Sequence, residues 1–344
     1  MDADLERYHR QVILPEIGVE GQRRLLASKV VVVGCGALGT VSAPLLARAG
    51  VGHLTLVDRD FVERTNLQRQ LLYDEDDVAS SLPKAEAAAA KLRRANPDIT
   101  IDAVVVDVNR DNVERLLAGA SLVIDGADNF ELRFLVNEAC VKHGIPWVHA
   151  AAVATTGMQL TIIPGVTPCY ACIVETAPDP GVAPTCDTAG VLAPAVAMVV
   201  CHQVTEALKI LTANTKDLRG TLLSVDVWTN LSTEIEVKRR TAGAGCPVCV
   251  QRRFDHLEGR AGATLTSLCG RNAIQVGARP GGSVAFAEVA ARVGAVARVT
   301  QNRFLMRFQV DGLDVTLFAD GRAIVQGTDD ATRARAVLAK YVGT

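Results

Sequence analysis

Aromatic residues make up only 4% of this 344-residue chain. A stacking platform for single-stranded nucleic acid therefore has few rings to build on. An excess of either charge is also lacking: 36 Lys+Arg stand against 38 Asp+Glu, a formal net charge of −2. That supplies no general basic field for a polyanion, so nucleic acid is disfavoured as a partner unless a local basic patch exists. No run approaches the roughly 18 uninterrupted apolar residues of a membrane span. The opening MDADLERYHRQ is charged and lacks the apolar centre of a secretory leader. A cytoplasmic protein without a membrane partner is expected. Nine cysteines, an odd number, make a poor disulfide framework in such a compartment. Clustered ones are better read as metal ligands or reactive thiols. Hydrophobic residues at 49% and charged residues at 22% are ordinary for a globular protein and exclude disorder as the main state.

What is present alternates between strand and helix patterns. Lys29–Val33, His53–Val57, 101–106, 122–124 and Trp147–Val153 read as strands, the first as a buried parallel one. Helical patterns cover 37–49, 85–94 and 130–143. The alternation predicts an α/β fold: a doubly wound, Rossmann-like, mostly parallel sheet. A further strand is read at 159–163, and late antiparallel strands are expected at 221–227 and 232–237, with a Pro/Gly-dense crossing loop at 164–184 and a long apolar helix at 191–211. The predicted boundary separates 1–252 from a small α+β domain at 253–344, a ferredoxin-like arrangement by its strand and helix pattern. Asp311-Gly312 and Asp320-Gly321 are hairpin signals there.

Five stretches carry chemistry. Gly34-Cys-Gly36-Ala-Leu-Gly39 lies between a strand and a helix, where glycines admit a phosphate to the backbone and the helix start favours its charge. Asp58, 19 residues after Gly39, is placed to accept from ribose hydroxyls. These two alone fit NAD and ATP equally. Asn66, Arg69 and Gln70 add donors beyond the ribose position, which suits a triphosphate. Lys84, at a helix start, opposes the helix dipole unless an anion compensates it. Asp128-Asn129 follow a strand and precede a helix, where Asp128 reads as a magnesium ligand, as an N-cap, or as both.

The cysteines separate into classes. Cys169-x-x-Cys172 and Cys246-x-x-Cys249 match a four-thiolate structural zinc site closed across 73 intervening residues. Cys186, in a polar loop before a helix, is a candidate nucleophile or an incidental loop cysteine. Cys35, Cys140, Cys201 and Cys269 read as packing residues.

Taken together, these motifs resemble the MoeB/ThiF/HesA family of adenylyltransferases, bacterial relatives of ubiquitin-activating enzymes. The resemblance covers about residues 5–252 and includes Arg7-Tyr-His-Arg10-Gln11 and Arg133. It implies ATP-dependent adenylation of the C-terminal glycine of a ubiquitin-like sulfur carrier ending in Gly-Gly. That chemistry serves molybdopterin or thiamine synthesis or tRNA thiolation. By the same resemblance Gly34, Gly36 and Gly39 admit the nucleotide and Asp58 holds ribose. Asn66, Arg69 and Lys84 surround the phosphates, with Asp128 on Mg2+ and Asn129 beside it. Arg10 reaches into a neighbouring subunit's site, which implies a homodimer. The paired cysteines hold Zn2+, and Cys186 is the cysteine of the active-site loop. A sulfurtransferase or cysteine desulfurase is a further implied partner. Ser80-Ser81-Leu82 departs from the family pattern in lacking a glycine before Pro83-Lys84.

Three other readings compete. An NAD-dependent dehydrogenase accounts for the glycines and Asp58 but not for Arg69, Lys84 or the cysteine pairs. A non-catalytic scaffold for a ubiquitin-like partner does not need intact phosphate-handling residues. Adenylation of tRNA, within the same superfamily, fits poorly with a net charge of −2.

Overall fold

Four consecutive valines follow Lys29, and in the computed structural model they form the centre of an eight-stranded sheet. The structure describes residues 3–176, 186–243, 245–260, 267–268, 273–276, 284–294 and 296–342. Strand β1 (Lys29–Val33) sends Val30 and Val32 into one apolar cluster and Val31 and Val33 into another. Burial on both faces is why the strand reads as a continuous apolar run. The strands β2 (His53–Val57), β3 (Thr100–Val104), β4 (Leu122–Asp125) and β5 (Trp147–Val153) run parallel to it in the order β3-β2-β1-β4-β5. The sheet continues antiparallel through β6 (Thr156–Ile162), β7 (Leu222–Asp226) and β8 (Leu231–Ile235).

The chain leaves β1 outward through β2 and β3, then returns to β4 on the other side. Ligands bind in the crevice beyond the strand ends at such a reversal. Here the two loops meet backbone to backbone. Gly34 has φ +96°, and a Cβ on it would lie 2.4 Å from the Gly126 carbonyl oxygen. A Cβ on Gly126 would lie 2.2 Å from the Gly34 oxygen. Gly126→Ala is expected to destabilise the fold by about 2–4 kcal/mol. A urea midpoint that does not move, at unchanged slope, would disprove this contact.

The helices Gly39–Ala49, Lys84–Ala95 and Ala193–Leu211 cover one face, and Phe130–His143 covers the other. Among the described residues, Ala193–Leu211 alone is long and apolar enough to cross a membrane. In the fold it packs on β5 and β6 with Gln203 and Glu206 buried. It starts two residues later than expected because Val191 bridges Ala154 and the Leu192 N–H donates to the Ala154 carbonyl.

The chain divides into two units, Met1–Pro178 with Gly190–Gly262 and Asp179–Ala189 with Ala263–Thr344. Residues 253–260, placed by sequence in the second domain, are tied to the first unit. Buried Glu138 accepts from the backbone N–H groups of His256 and Leu257, each at 3.0 Å. The second unit has an antiparallel sheet in the order β11-β12-β13-β14-β10-β9. Its strands are β9 (Ser267–Leu268), β10 (Ala273–Val276), β11 (Val299–Gln301), β12 (Leu305–Val310), β13 (Leu313–Phe318) and β14 (Ala323–Gln326). Helices Phe286–Val293 and Ala331–Tyr341 contribute to its core. The Asp311-Gly312 turn makes sequential neighbours of β12 and β13, and Asp320-Gly321 does the same for β13 and β14. The result is a meander, which corrects the ferredoxin-like expectation. β10 is absent from the sequence reading.

Candidate nucleotide site and metal centre

The strand ends bring the predicted nucleotide residues to one edge of the sheet. The three loop glycines differ in what they do. A Cβ on Gly39 would lie 2.1 Å from the Gly34 oxygen, so Gly39 closes the turn. At Gly36 the nearest heavy atom to a Cβ is Gln70 Nε2, at 4.0 Å. Gly36 is therefore the glycine past which a phosphate can approach the backbone. The Tyr73 hydroxyl lies between the carbonyls of Cys35, at 2.8 Å, and Lys84, at 3.0 Å. It ties the glycine loop to the helix that carries the lysine.

Asp58 sits at the end of β2 and accepts from the N–H groups of Cys35 (2.6 Å) and Asp60 (2.7 Å). Burial pushes its carboxyl up from the usual range, against the pull of Lys84. Lys84 is buried, with its Nζ 3.3 Å from Asp60 Oδ2, and its N–H donates to the Asp60 carbonyl at 2.8 Å. Asp60 thus offsets the unfavourable dipole at this helix start, a partner that the sequence reading did not assign. Just before this helix Ser81 has φ +48°, the left-handed region that glycine occupies freely. Ser81 thus holds a backbone conformation that glycine adopts more easily.

Asn66 is buried and its Oδ1 accepts from the Glu63 N–H at 3.2 Å. Arg69 is half-buried and donates to the Thr65 carbonyl at 2.9 Å. Gln70 is buried, and its Oε1 has no partner among the described residues. Gln70 thus places a buried amide with an unpaired oxygen beside Gly36; the sequence names Gln70 but cannot show its burial. Arg10 is exposed on the short helix His9–Val12.

The loop after β4 separates two roles that the sequence left open. Asn129, not Asp128, caps the helix Phe130–His143, accepting from the Leu132 N–H at 2.9 Å. Asp128 is exposed and accepts only from the Asn129 side chain among the described residues, at 3.0 Å. Its carboxylate has no structural duty in the helix. Asp125, three positions earlier, is saturated instead. Its Oδ1 accepts from Ala127 N–H at 2.9 Å, and its Oδ2 from His149 Nδ1 at 2.5 Å and Arg133 Nε at 3.2 Å. Arg133 also donates to the Ala127 carbonyl at 2.6 Å. The Ala127 peptide, which presents Asp128, is held on both sides.

His149 faces a carboxylate, which can only accept, so Nδ1 carries the proton. Burial nevertheless pushes its pKa below the ordinary histidine value, outweighing Asp125. A folded-state pKa below the unfolded one means stability is full above about pH 6.5 and declines as pH falls. His149→Gln is expected to flatten that decline between about pH 6.5 and 5, by up to about 1.4 kcal/mol per pH unit. His202 and His256 are shifted the same way and contribute in the same direction. Identical pH profiles of denaturation midpoint would remove His149 from this role.

The four paired cysteines converge. Their sulfurs all lie within 4.8 Å of one another and all four residues are buried. Three separations are 3.9 Å (Cys169–Cys172), 3.6 Å (Cys169–Cys246) and 3.6 Å (Cys172–Cys249). A tetrahedron with metal–sulfur bonds of about 2.3 Å has sulfur edges of ~3.8 Å, whereas a disulfide requires about 2.05 Å. The donor set therefore fits zinc and not a pair of disulfides. Cys186 opens the short helix Cys186–Ala189 and is half-buried. Of the cysteines read as packing residues, Cys35 and Cys140 are buried, Cys201 is exposed on its helix and so corrects that reading, and Cys269 lies outside the described residues.

This fold and site define a Rossmann-type nucleotide-binding protein with a closed tetrathiolate centre. The chain belongs to the ThiF family, which matches residues 8–248. It is 41% identical over 338 residues to the sulfur carrier protein ThiS adenylyltransferase of Bacillus subtilis, covering 98% of this chain and 99% of that protein. It is 44% identical over 254 residues to the SAMP-activating enzyme E1 of Haloferax volcanii, covering 74% of this chain and 92% of that one. Among solved structures, Escherichia coli MccB with AMPCPP and MccA is similar at a TM-score of 0.61 and 25% identity, over 71% of this chain and 74% of that one.

Proposed function

We propose that this chain is an ATP-dependent adenylyltransferase that activates the C-terminal glycine of a ubiquitin-like sulfur carrier of the ThiS type. The observation that carries this is the 41% identity to a ThiS adenylyltransferase, which extends over both units. The sheet-edge arrangement supports it chemically.

The reaction joins two anions. A glycine carboxylate oxygen forms a bond to the α-phosphorus of ATP; the bond to the bridging oxygen breaks, and its electron pair leaves with pyrophosphate. Repulsion between carboxylate and triphosphate is the main obstacle, so fixed positive charge and fixed donors are what the protein must supply. Gly36 and the helix start behind Gly39 offer backbone to phosphate, and Asp58 accepts from ribose. Asn66, Arg69, Gln70 and Lys84 donate around the triphosphate. Asp128, the carboxylate free of helix capping, is the residue to hold Mg2+, which screens phosphate charge when bound. Arg10, exposed on its helix, serves the neighbouring site in a homodimer. Cys186 either attacks the acyl-adenylate to form a thioester as AMP leaves, or takes the outer sulfur of a persulfide on a cysteine desulfurase or sulfurtransferase, whose thiol leaves. Thiols held for metal rather than disulfides agree with a cytoplasmic location.

The test is ATP–pyrophosphate exchange with Mg2+ and a panel of carriers ending in Gly-Gly. Exchange is expected with a thiamine-type carrier and is expected to vanish when its final glycine is deleted. A zinc-loaded protein that binds ATP but exchanges with no carrier would overturn the reading.

A further inference from the structure

The helix Phe130–His143 starts just after the Asp128 loop and is fastened further along to the segments that carry the four paired cysteines. Arg252, just past Cys249, donates to the carbonyls of Val141 (2.9 Å) and Lys142 (3.0 Å) in its last turn, where a cation is favoured. Tyr170, between Cys169 and Cys172, donates its N–H to Asn137 Oδ1 in the middle of the same helix, at 2.9 Å.

The Tyr170 side chain makes a second, separate connection. Its buried ring meets the His149 imidazole edge-on, with centroids 5.0 Å apart and planes at 66°. Phe134 and Trp147 hold the tyrosine ring in turn, edge-on at 5.3 Å and 5.8 Å. Trp147 also packs on His149, at 5.5 Å. Edge-on aromatic contacts of this length are favourable and depend on orientation. In a close-packed interior they leave the imidazole a single plane. That plane matters, because His149 Nδ1 lies 2.5 Å from Asp125 Oδ2. Asp125 Oδ1 accepts from the N–H of Ala127 at 2.9 Å, and Ala127 is the residue before Asp128. Tyr170, His149, Asp125 and Ala127 thus form an unbroken line of contacts from the cysteine centre to the Asp128 loop.

We propose that Tyr170 is a positioning residue for Asp128, a role that rests on the adenylation reading for the use to which Asp128 is put. The Tyr170 ring fixes the His149 imidazole and, through Asp125 and the Ala127 peptide, sets where the exposed Asp128 carboxylate points. Among the described residues Asp128 accepts only from the Asn129 side chain, so the peptide that presents it carries its aim. A cation-binding carboxylate held off its position weakens binding of the cation more than it slows a site that is already filled. Groups that orient metal ligands from one step away commonly change metal affinity by about 10–100-fold. The ring and not the hydroxyl makes these contacts, so phenylalanine can stand in for tyrosine.

The experiment uses full-length protein with equal zinc content in every variant and reads the Mg2+ concentration that gives half-maximal ATP–pyrophosphate exchange. Tyr170→Leu is expected to raise it about tenfold or more, with the rate at saturating Mg2+ within about threefold of wild type. Tyr170→Phe is expected to stay within about twofold on both measures. A residue that only filled the core would lower the melting temperature and the maximal rate and leave the Mg2+ requirement in place. A second readout needs no activity. The proton that His149 Nδ1 holds against Asp125 is expected to give a downfield, slowly exchanging resonance, assigned by its loss in His149→Gln. It should be lost or shifted in Tyr170→Leu and kept in Tyr170→Phe. A wild type that exchanges with no carrier sinks the adenylation reading, and the resonance then decides the contact alone. A wild type that exchanges, with an unchanged Mg2+ requirement in Tyr170→Leu, overturns the role of Tyr170. So does an unmoved resonance in Tyr170→Leu, or a phenylalanine variant as impaired as the leucine one.

Discussion

Asp128→Asn is expected to lower ATP–pyrophosphate exchange by on the order of 10²–10³-fold while leaving thermal stability unchanged. The clean separation follows from the loop after β4. Asn129 caps the helix, so the Asp128 carboxylate holds no backbone, and an isosteric amide removes charge alone. The neighbouring Asn129→Ala should behave oppositely, losing about 1 kcal/mol of stability through the cap and far less activity. Exchange assays with a magnesium titration, alongside thermal melts, distinguish the pair. An Asp128→Asn protein with wild-type exchange would remove this carboxylate from the mechanism, and a melt lowered as much as that of Asn129→Ala would return it to a structural role.

Loss of the metal centre should have the largest effect on stability. Cys246→Ser, or exhaustive chelation of the wild type, is expected to lower the melting temperature by ~10 °C or more. The reason lies in connectivity. The centre joins the helix Tyr170–Ile173 to the turn after β8 across 73 intervening residues. Without metal, four buried thiols with sulfur contacts of 3.6–3.9 Å lose the cation that holds them, and their closeness becomes a repulsion on ionisation. Zinc content and melting temperature measured together test this; a zinc-free protein that melts at the wild-type temperature would show that the centre carries no stability.

Several features were legible before any fold was known. The valine run of β1 announced a strand buried on both faces because such strands lose their alternation. The glycine fingerprint and Asp58 were legible because their spacing is set by one strand, one turn and one helix. Two Cys-x-x-Cys pairs predicted a tetrathiolate because that spacing suits one metal and few other purposes. Where the reading missed, the deciding partner was distant in sequence. Lys84 has its counter-charge in Asp60, 24 positions away. Asp125 is saturated by His149, also 24 positions away, a partner that local sequence could not show. Gly36 and Gly39 look alike in the fingerprint, yet the Gly34 carbonyl fills the space over one and leaves the other open.

The sequence by itself therefore determined the class of fold, the nucleotide fingerprint and the metal ligands, because each rests on local periodicity or fixed short spacing. The tertiary structure alone decided which carboxylate is left free of helix capping and which loop glycine has open space over it. Those are choices of partner between segments that meet only when the sheet assembles, and no local pattern encodes them.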